Sequence, residues 1–211
     1  MKIQVSPLLL LVLTSAGCAG DFRPVARFPF VEHASIALEE EVLTLDVHEE
    51  EVVVDALFHF GVTQPRGQLV MTFPVAPPRG ASRDFTAWLG RDVARPLEAR
   101  RGEPGILPVG EAAETWDVAV DARALAASGG LLEVRYRQPG RGDFAYVWRT
   151  GAYWRGPVRR LDVVVRDPRG LLSSLEIDGV RVETSRRDGA GTLVTSLFDV
   201  EPESGLKLHV R

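Results

Sequence analysis

The chain has 211 residues, a formal net charge of −4, and 45% hydrophobic against 26% charged residues. That mixture excludes disorder for the bulk of the chain, and the length suits one generous β-sandwich or two small ones. Cys18 is the single cysteine, so no intrachain disulfide can form and the core must be held by packing.

The first segment differs in kind from the rest. Lys2 is the only charge before Asp21, the apolar run Leu8 to Leu13 is unbroken, and Thr14, Ser15, Ala16 and Gly17 lead into Cys18. A basic start, a short apolar stretch and small residues make a secretory signal peptide over residues 1–17. The run is too short to cross a bilayer, which takes about 20 apolar residues. Ala16-Gly17-Cys18 resembles the lipobox of bacterial lipoproteins, although Ser15 stands where an aliphatic residue is usual. The resemblance implies that the Cys18 thiol carries diacylglycerol and becomes the mature N-terminus. Ala19 rather than Asp follows, which by the same resemblance allows transport to the outer membrane. An ordinary leader cut near Ala16 or Ala19, with an incidental Cys18, is the alternative. Without Lys2 the mature chain keeps 24 basic and 29 acidic side chains. Neither sign forms a stripe, which speaks against nucleic acid as a partner.

Residues 18–34 read as the lipidated cysteine and a tether, with two prolines and no clean period. From residue 35 the period becomes two. Leu43, Leu45 and Val47 alternate with polar residues, as do Val52, Val54, Ala56, Phe58 and Phe60, with a turn at His48 to Glu51. Ile36 and Leu38 are out of phase with Leu43, which predicts a bulge within Glu39-Glu40-Glu41. Leu69, Met71, Phe73 and Val75 form a third strand that stops at the prolines from Pro74 to Pro78. Phe85, Ala87 and Leu89 start a hairpin that turns at Gly90-Arg91-Asp92 and returns from Val93. Arg100 to Gly110 is a loop. Trp116, Val118 and Val120 make a strand, and Asp121 caps a short helix that ends at Gly129-Gly130.

Further strands follow at Leu132 to Tyr136, Phe144 to Trp148 and Leu161 to Val165. Leu175 and Ile177 pair through Asp178-Gly179 with Val180 and Val182 as a hairpin. Leu193 to Phe198 and Leu206 to Val210 close the chain, and Gly140-Arg141-Gly142 and Gly189-Ala190-Gly191 read as hairpin tips. About a dozen short strands with at most one short helix predict an all-β antiparallel sandwich. One β-sandwich domain spans 35–150. Residues 151–211 are a C-terminal β region, either packed on the same sandwich or forming a second small lobe.

Several local features resemble an uncharacterised family of secreted bacterial β-rich proteins, a domain of unknown function. They are the acidic early strand, Phe73-Pro74, the segment Asp84 to Gly90, Val134-Arg135-Tyr136, and Tyr146 to Pro157 with its Tyr153-Trp154-x-Gly156-Pro157 stretch. The resemblance implies a β-sandwich and export, and carries no activity.

No pattern for chemistry rises above background. His33, His48, His59 and His209 lack the close spacing of zinc ligands, and no metal or other cofactor is expected. No Gly-x-Ser-x-Gly elbow occurs. Glu39 to Glu41 and Glu49 to Glu51 read as a solvated face and a solvated turn, and only as a distant second as a general acid and base. Trp116 and Trp148 have the phase of core residues. Trp88, out of phase on its strand, and the loop pair Tyr153 and Trp154 are the candidate binding surface. The expectation is a non-enzymatic, lipid-anchored envelope protein. It contacts the membrane through the anchor and takes an envelope protein or glycan as partner. The alternatives are a carbohydrate-binding module and a glycan hydrolase.

Overall fold

A computed structural model describes residues 36–75, 83–90, 95–102, 105–106, 112–139, 142–146, 157–177, 180–182, 191–200 and 205–211. It is an all-β sandwich. The first two strands, β1 (Ile36–Val47) and β2 (Glu51–Val62), form a long antiparallel hairpin. Its turn is closed by the His48 N–H, which donates to the Glu51 carbonyl at 2.9 Å. The predicted bulge is present: the register shifts between Leu38 and Glu40. One extra residue there lets Ile36 and Leu38 face the same core as Leu43, Leu45 and Val47.

The remaining elements are β3 (Gln68–Val75), β4 (Arg83–Leu89), β5 (Ala99–Arg101), β6 (Gly105–Ile106), β7 (Ala112–Asp121), α1 (Ala122–Ala127), β8 (Leu131–Pro139), β9 (Gly142–Tyr146), β10 (Val158–Arg166), β11 (Leu172–Ile177), β12 (Val180–Val182), β13 (Thr192–Val200) and β14 (Leu206–Val210). A six-stranded sheet in the order β13-β10-β1-β2-β8-β4 forms one layer. Two smaller sheets, β12-β11-β14-β9 and β3-β7-β5 with β6 beside β7, complete the structure. A single apolar cluster joins all three. An aromatic chain links the large sheet to the β3 sheet: Phe58 lies 5.6 Å from Phe73, and Phe85 lies 6.0 Å from Phe73 and 4.9 Å from Trp116.

Local sequence explains most of these elements. Asp121 caps α1 by accepting from the N–H groups of Arg123 and Ala124 at 3.0 and 2.9 Å. Gly129 and Gly130 end the helix with φ of +75° and +77°, the left-handed region open to glycine. Replacing Asp121 by alanine leaves both donors to water. It should cost about 1 kcal/mol, measurable as a lower urea midpoint with unchanged slope.

Four expectations are corrected. The sheets are not wholly antiparallel: β10 runs parallel to β1 from Glu40 beside Arg160 to Asp46 beside Arg166. Parallel neighbours need a long crossover, and the chain makes one by leaving for β9 in another sheet between β8 and β10. For the same reason β8 and β9 do not form the expected hairpin with each other, since β8 bonds β2 and β4 while β9 bonds β14; Gly140 and Arg141 lie outside the described residues. Nor does Gly191 end a hairpin, because β12 bonds β11 and β13 bonds β10. Gly191 instead lets the chain pass close to Asp167, whose N–H donates to the Gly191 carbonyl at 3.0 Å. Finally, the segment read as a loop from Arg100 to Gly110 supplies β5 and β6, short strands that pair with β7. Two or three residues are too few to show a period in sequence. The Asp178-Gly179 hairpin itself is as expected, with Ile177 opposite Val180.

Candidate functional site

The residues singled out from sequence do not come together among the described residues. Cys18, Tyr153 and Trp154 lie outside them, as does Trp148. Trp88 was expected at the surface and is buried, with 8% of its area exposed. Its phase was read correctly, because Phe85 and Ala87 take the inner face of β4. The returning chain runs beside it: Trp88 bridges to Pro96, and the Leu97 N–H donates to the Ala87 carbonyl at 2.7 Å. Among the described residues, the expected return of the chain beside β4 is this bridge and this hydrogen bond; residues 91–94 of that hairpin lie outside them. The partner that β4 does pair along its length is β8.

Trp116 is half-buried. One face stacks on Phe85, with rings 4.9 Å apart and 2° from parallel, and the Arg101 guanidinium lies 5.5 Å from the ring centre. Arg101 is held in turn by Glu114 at 3.1 Å. Both faces of the indole are therefore occupied, which leaves no open stacking platform there.

The solvated-face reading holds for Glu40 but not for Glu41, which is 2% exposed. The bulge at Glu39 sets the phase: counting back by two from Leu45 and Leu43 places Glu41 on the core side. That count was available in the sequence and was masked by the run of three identical charges. From β9 in the facing sheet, the Tyr146 hydroxyl donates to Glu41 Oε1 at 2.9 Å. Burial pushes the Glu41 carboxyl up to about 7, opposed in part by the Tyr146 hydrogen bond. Burial, and then the Glu41 charge, push the Tyr146 and Tyr136 phenols up as well, so both stay protonated.

What this cluster can do follows from its enclosure. A carboxyl with a raised pKa has the acidity of a general acid or base, but a catalytic group must reach its substrate, and Glu41 with Tyr146 at 7% exposure is sealed between the layers. The geometry is that of a polar clasp between β1 and β9. Other buried polar groups are dispersed. Asp167 accepts from the N–H groups of Leu171 and Leu172 at 2.8 and 2.9 Å, fixing the turn before β11. Gln138, 1% exposed, has no hydrogen-bond partner for either side-chain atom among the described residues. No group of three His, Cys, Asp or Glu able to hold a metal ion occurs among the described residues.

The outward face of the large sheet is laced with ion pairs. Arg135 pairs with Asp55, Arg137 with Glu51 at 2.8 Å, Arg166 with Asp46 at 3.4 Å and Arg160 with Asp162 at 2.8 Å. Exposed pairs of this kind add little stability each, but they leave this face without a field of one sign. In the adjoining turn Glu49 is paired with Arg169, which accounts for part of the acidic run.

The fold defines the class: a mixed β-sandwich with a sealed carboxyl clasp. No protein-family model and no curated protein matches the chain.

Proposed function

We propose that the chain is an exported bacterial protein tethered to the envelope by a lipid on Cys18, and that its sandwich acts as a non-catalytic binding or structural module. The observation that carries this reading is the order Lys2, the apolar run Leu8 to Leu13, four small residues and then a lone Cys18. A core of aliphatic and aromatic side chains that needs no disulfide supports it, because such a core tolerates a chain whose only thiol is committed to the anchor. With Ala19 after the cysteine, the module sits on the outer membrane facing the periplasm, among the secreted β-rich proteins that the Tyr153 to Pro157 stretch resembles. Glycan recognition stands as the alternative. It rests on Tyr153 and Trp154 alone, since the Trp88 ring is enclosed. A hydrolytic role has to do without Glu41 for the same reason.

The test is metabolic labelling with an alkyne fatty acid, followed by membrane fractionation of the wild type and Cys18→Ala. The wild type is expected to take up label and sediment with membranes. Cys18→Ala is expected to lose the label and appear in the soluble periplasmic fraction. An unlabelled wild type, or label retained by Cys18→Ala, overturns the anchor.

A further inference from the structure

Sheet edges are the places where one chain can add hydrogen bonds to another, and folded proteins block them with charge, proline, shortness or a covering segment. Among the described residues, every sheet edge but one carries such a block. β4 begins with Arg83 and Asp84 and is bridged by Pro96. β12 has three residues and contains Arg181, and β9 contains Asp143. β3 contains Pro74, and β5 is Ala99-Arg100-Arg101. The exception is β13. It has nine residues, its first seven are Thr-Leu-Val-Thr-Ser-Leu-Phe without charge or proline, and among the described residues it is bonded only to β10. Val194 and Phe198 on its outward side are 63% and 66% exposed.

We infer that β13 is the edge through which two copies of this chain join, antiparallel about a two-fold axis at Ser196, so that the two large sheets become one continuous sheet. Three features single out a second copy as the occupant. The unbonded N–H and C=O groups of an edge call for another extended backbone. A two-fold at Ser196 places Val194 opposite the partner's Phe198 and the reverse, so each exposed apolar side chain covers the other in a self-complementary contact. Val164 lies beside Val194 in the register of β10 and extends that stripe. The charges also fit. Arg160 is already paired with Asp162, and Arg166 with Asp46, and the exposed Arg159 falls between the Val158–Val200 and Arg160–Phe198 pairs, at the Asp199 end of β13 and away from the two-fold. The strand's single charge, Asp199, lies near the far end of β13, where φ is +52°, so the two aspartates sit at opposite ends of the shared ladder and away from like-charge contact.

This surface deepens the module reading and is independent of the anchor. The test uses the full-length chain, purified in mild detergent and exposed to a mild oxidant. Ser196→Cys places two thiols on the two-fold axis. It is expected to give at least about ten-fold more disulfide-linked dimer than the wild type, or than Thr44→Cys on the interior strand β1 of the same sheet. Adding Val194→Lys, or separately Phe198→Lys, is expected to return the yield to background with an unchanged far-ultraviolet spectrum, since both positions are exposed. Equal yields from Ser196→Cys and Thr44→Cys overturn the proposal. So does a lysine variant that remains folded and still crosslinks. A wild type that stays monomeric by light scattering at every concentration also overturns it, and a strand from a different protein then becomes the occupant. Because an unlipidated Cys18 would be a second thiol, all crosslinking variants and their reference are made on Cys18→Ala, so the two ideas fall separately.

Discussion

Glu41→Gln should flatten the dependence of stability on pH between about 5 and 8. The wild-type carboxyl holds its proton to about pH 7 when folded, whereas the unfolded group releases it near its ordinary value of 4.5. Between these values the native state binds more protons than the unfolded state, so stability falls as pH rises. The stabilising contribution is complete below pH 4.5 and gone above about 7. At about 1.4 kcal/mol per pH unit, the loss is about 3 kcal/mol. Glutamine keeps an oxygen to accept from the Tyr146 hydroxyl and has no charge to lose. Urea unfolding at pH 5 and pH 8 should therefore show the variant gaining about 3 kcal/mol relative to wild type on going to the higher pH. Parallel slopes for the two proteins would rule out Glu41 as a buried titrating group. Tyr146→Phe is a useful companion. It removes the hydrogen bond that opposes the burial effect, so the wild-type slope should extend to higher pH.

Gly130→Ala should be among the most damaging single-methyl additions in the chain. Gly130 has φ of +77°, and a Cβ built there meets the Phe60 carbonyl oxygen at 2.0 Å. The neighbour is backbone and cannot swing aside. Gly130 also accepts the Phe60 N–H at 2.8 Å and donates its own N–H to Leu125 at 2.9 Å, so any shift that relieves the clash breaks the junction between α1 and β2. A cost of at least about 3 kcal/mol is expected from strain and lost bonds together. Gly129→Ala is the control. Its φ is +75°, yet nothing lies within 4 Å of the added carbon, so only the left-handed backbone is penalised, at about 1 to 2 kcal/mol. If denaturant melts give both variants the same loss, the close approach to Phe60 is not what demands glycine.

Much of the fold was legible in the sequence because β-structure with one buried side writes itself as a period of two. The first hairpin, the bulge near Glu39, the Asp121 cap with Gly129-Gly130 and the Ile177 to Val180 hairpin are all local, and each is recorded within a few residues. The candidate surface was less legible. The phase of Trp88 was read correctly and its exposure was not, because its burial depends on tertiary packing that the period of one strand does not record. Glu41 shows the opposite case, where simple counting outweighs the prior that charge runs face water.

The sequence by itself determined most of the strands, their inward faces and the helix α1, since each depends on side chains a few positions apart. Only the tertiary structure decided which strands become neighbours. The parallel seating of β10 on β1, the clasp between Glu41 and Tyr146 across 105 positions of sequence, and the seating of β13 at the end of the large sheet all arise between segments brought together from far apart. No local period encodes such a meeting, because it is selected by how completely the assembled sheets bury their apolar faces and satisfy the backbone groups between them.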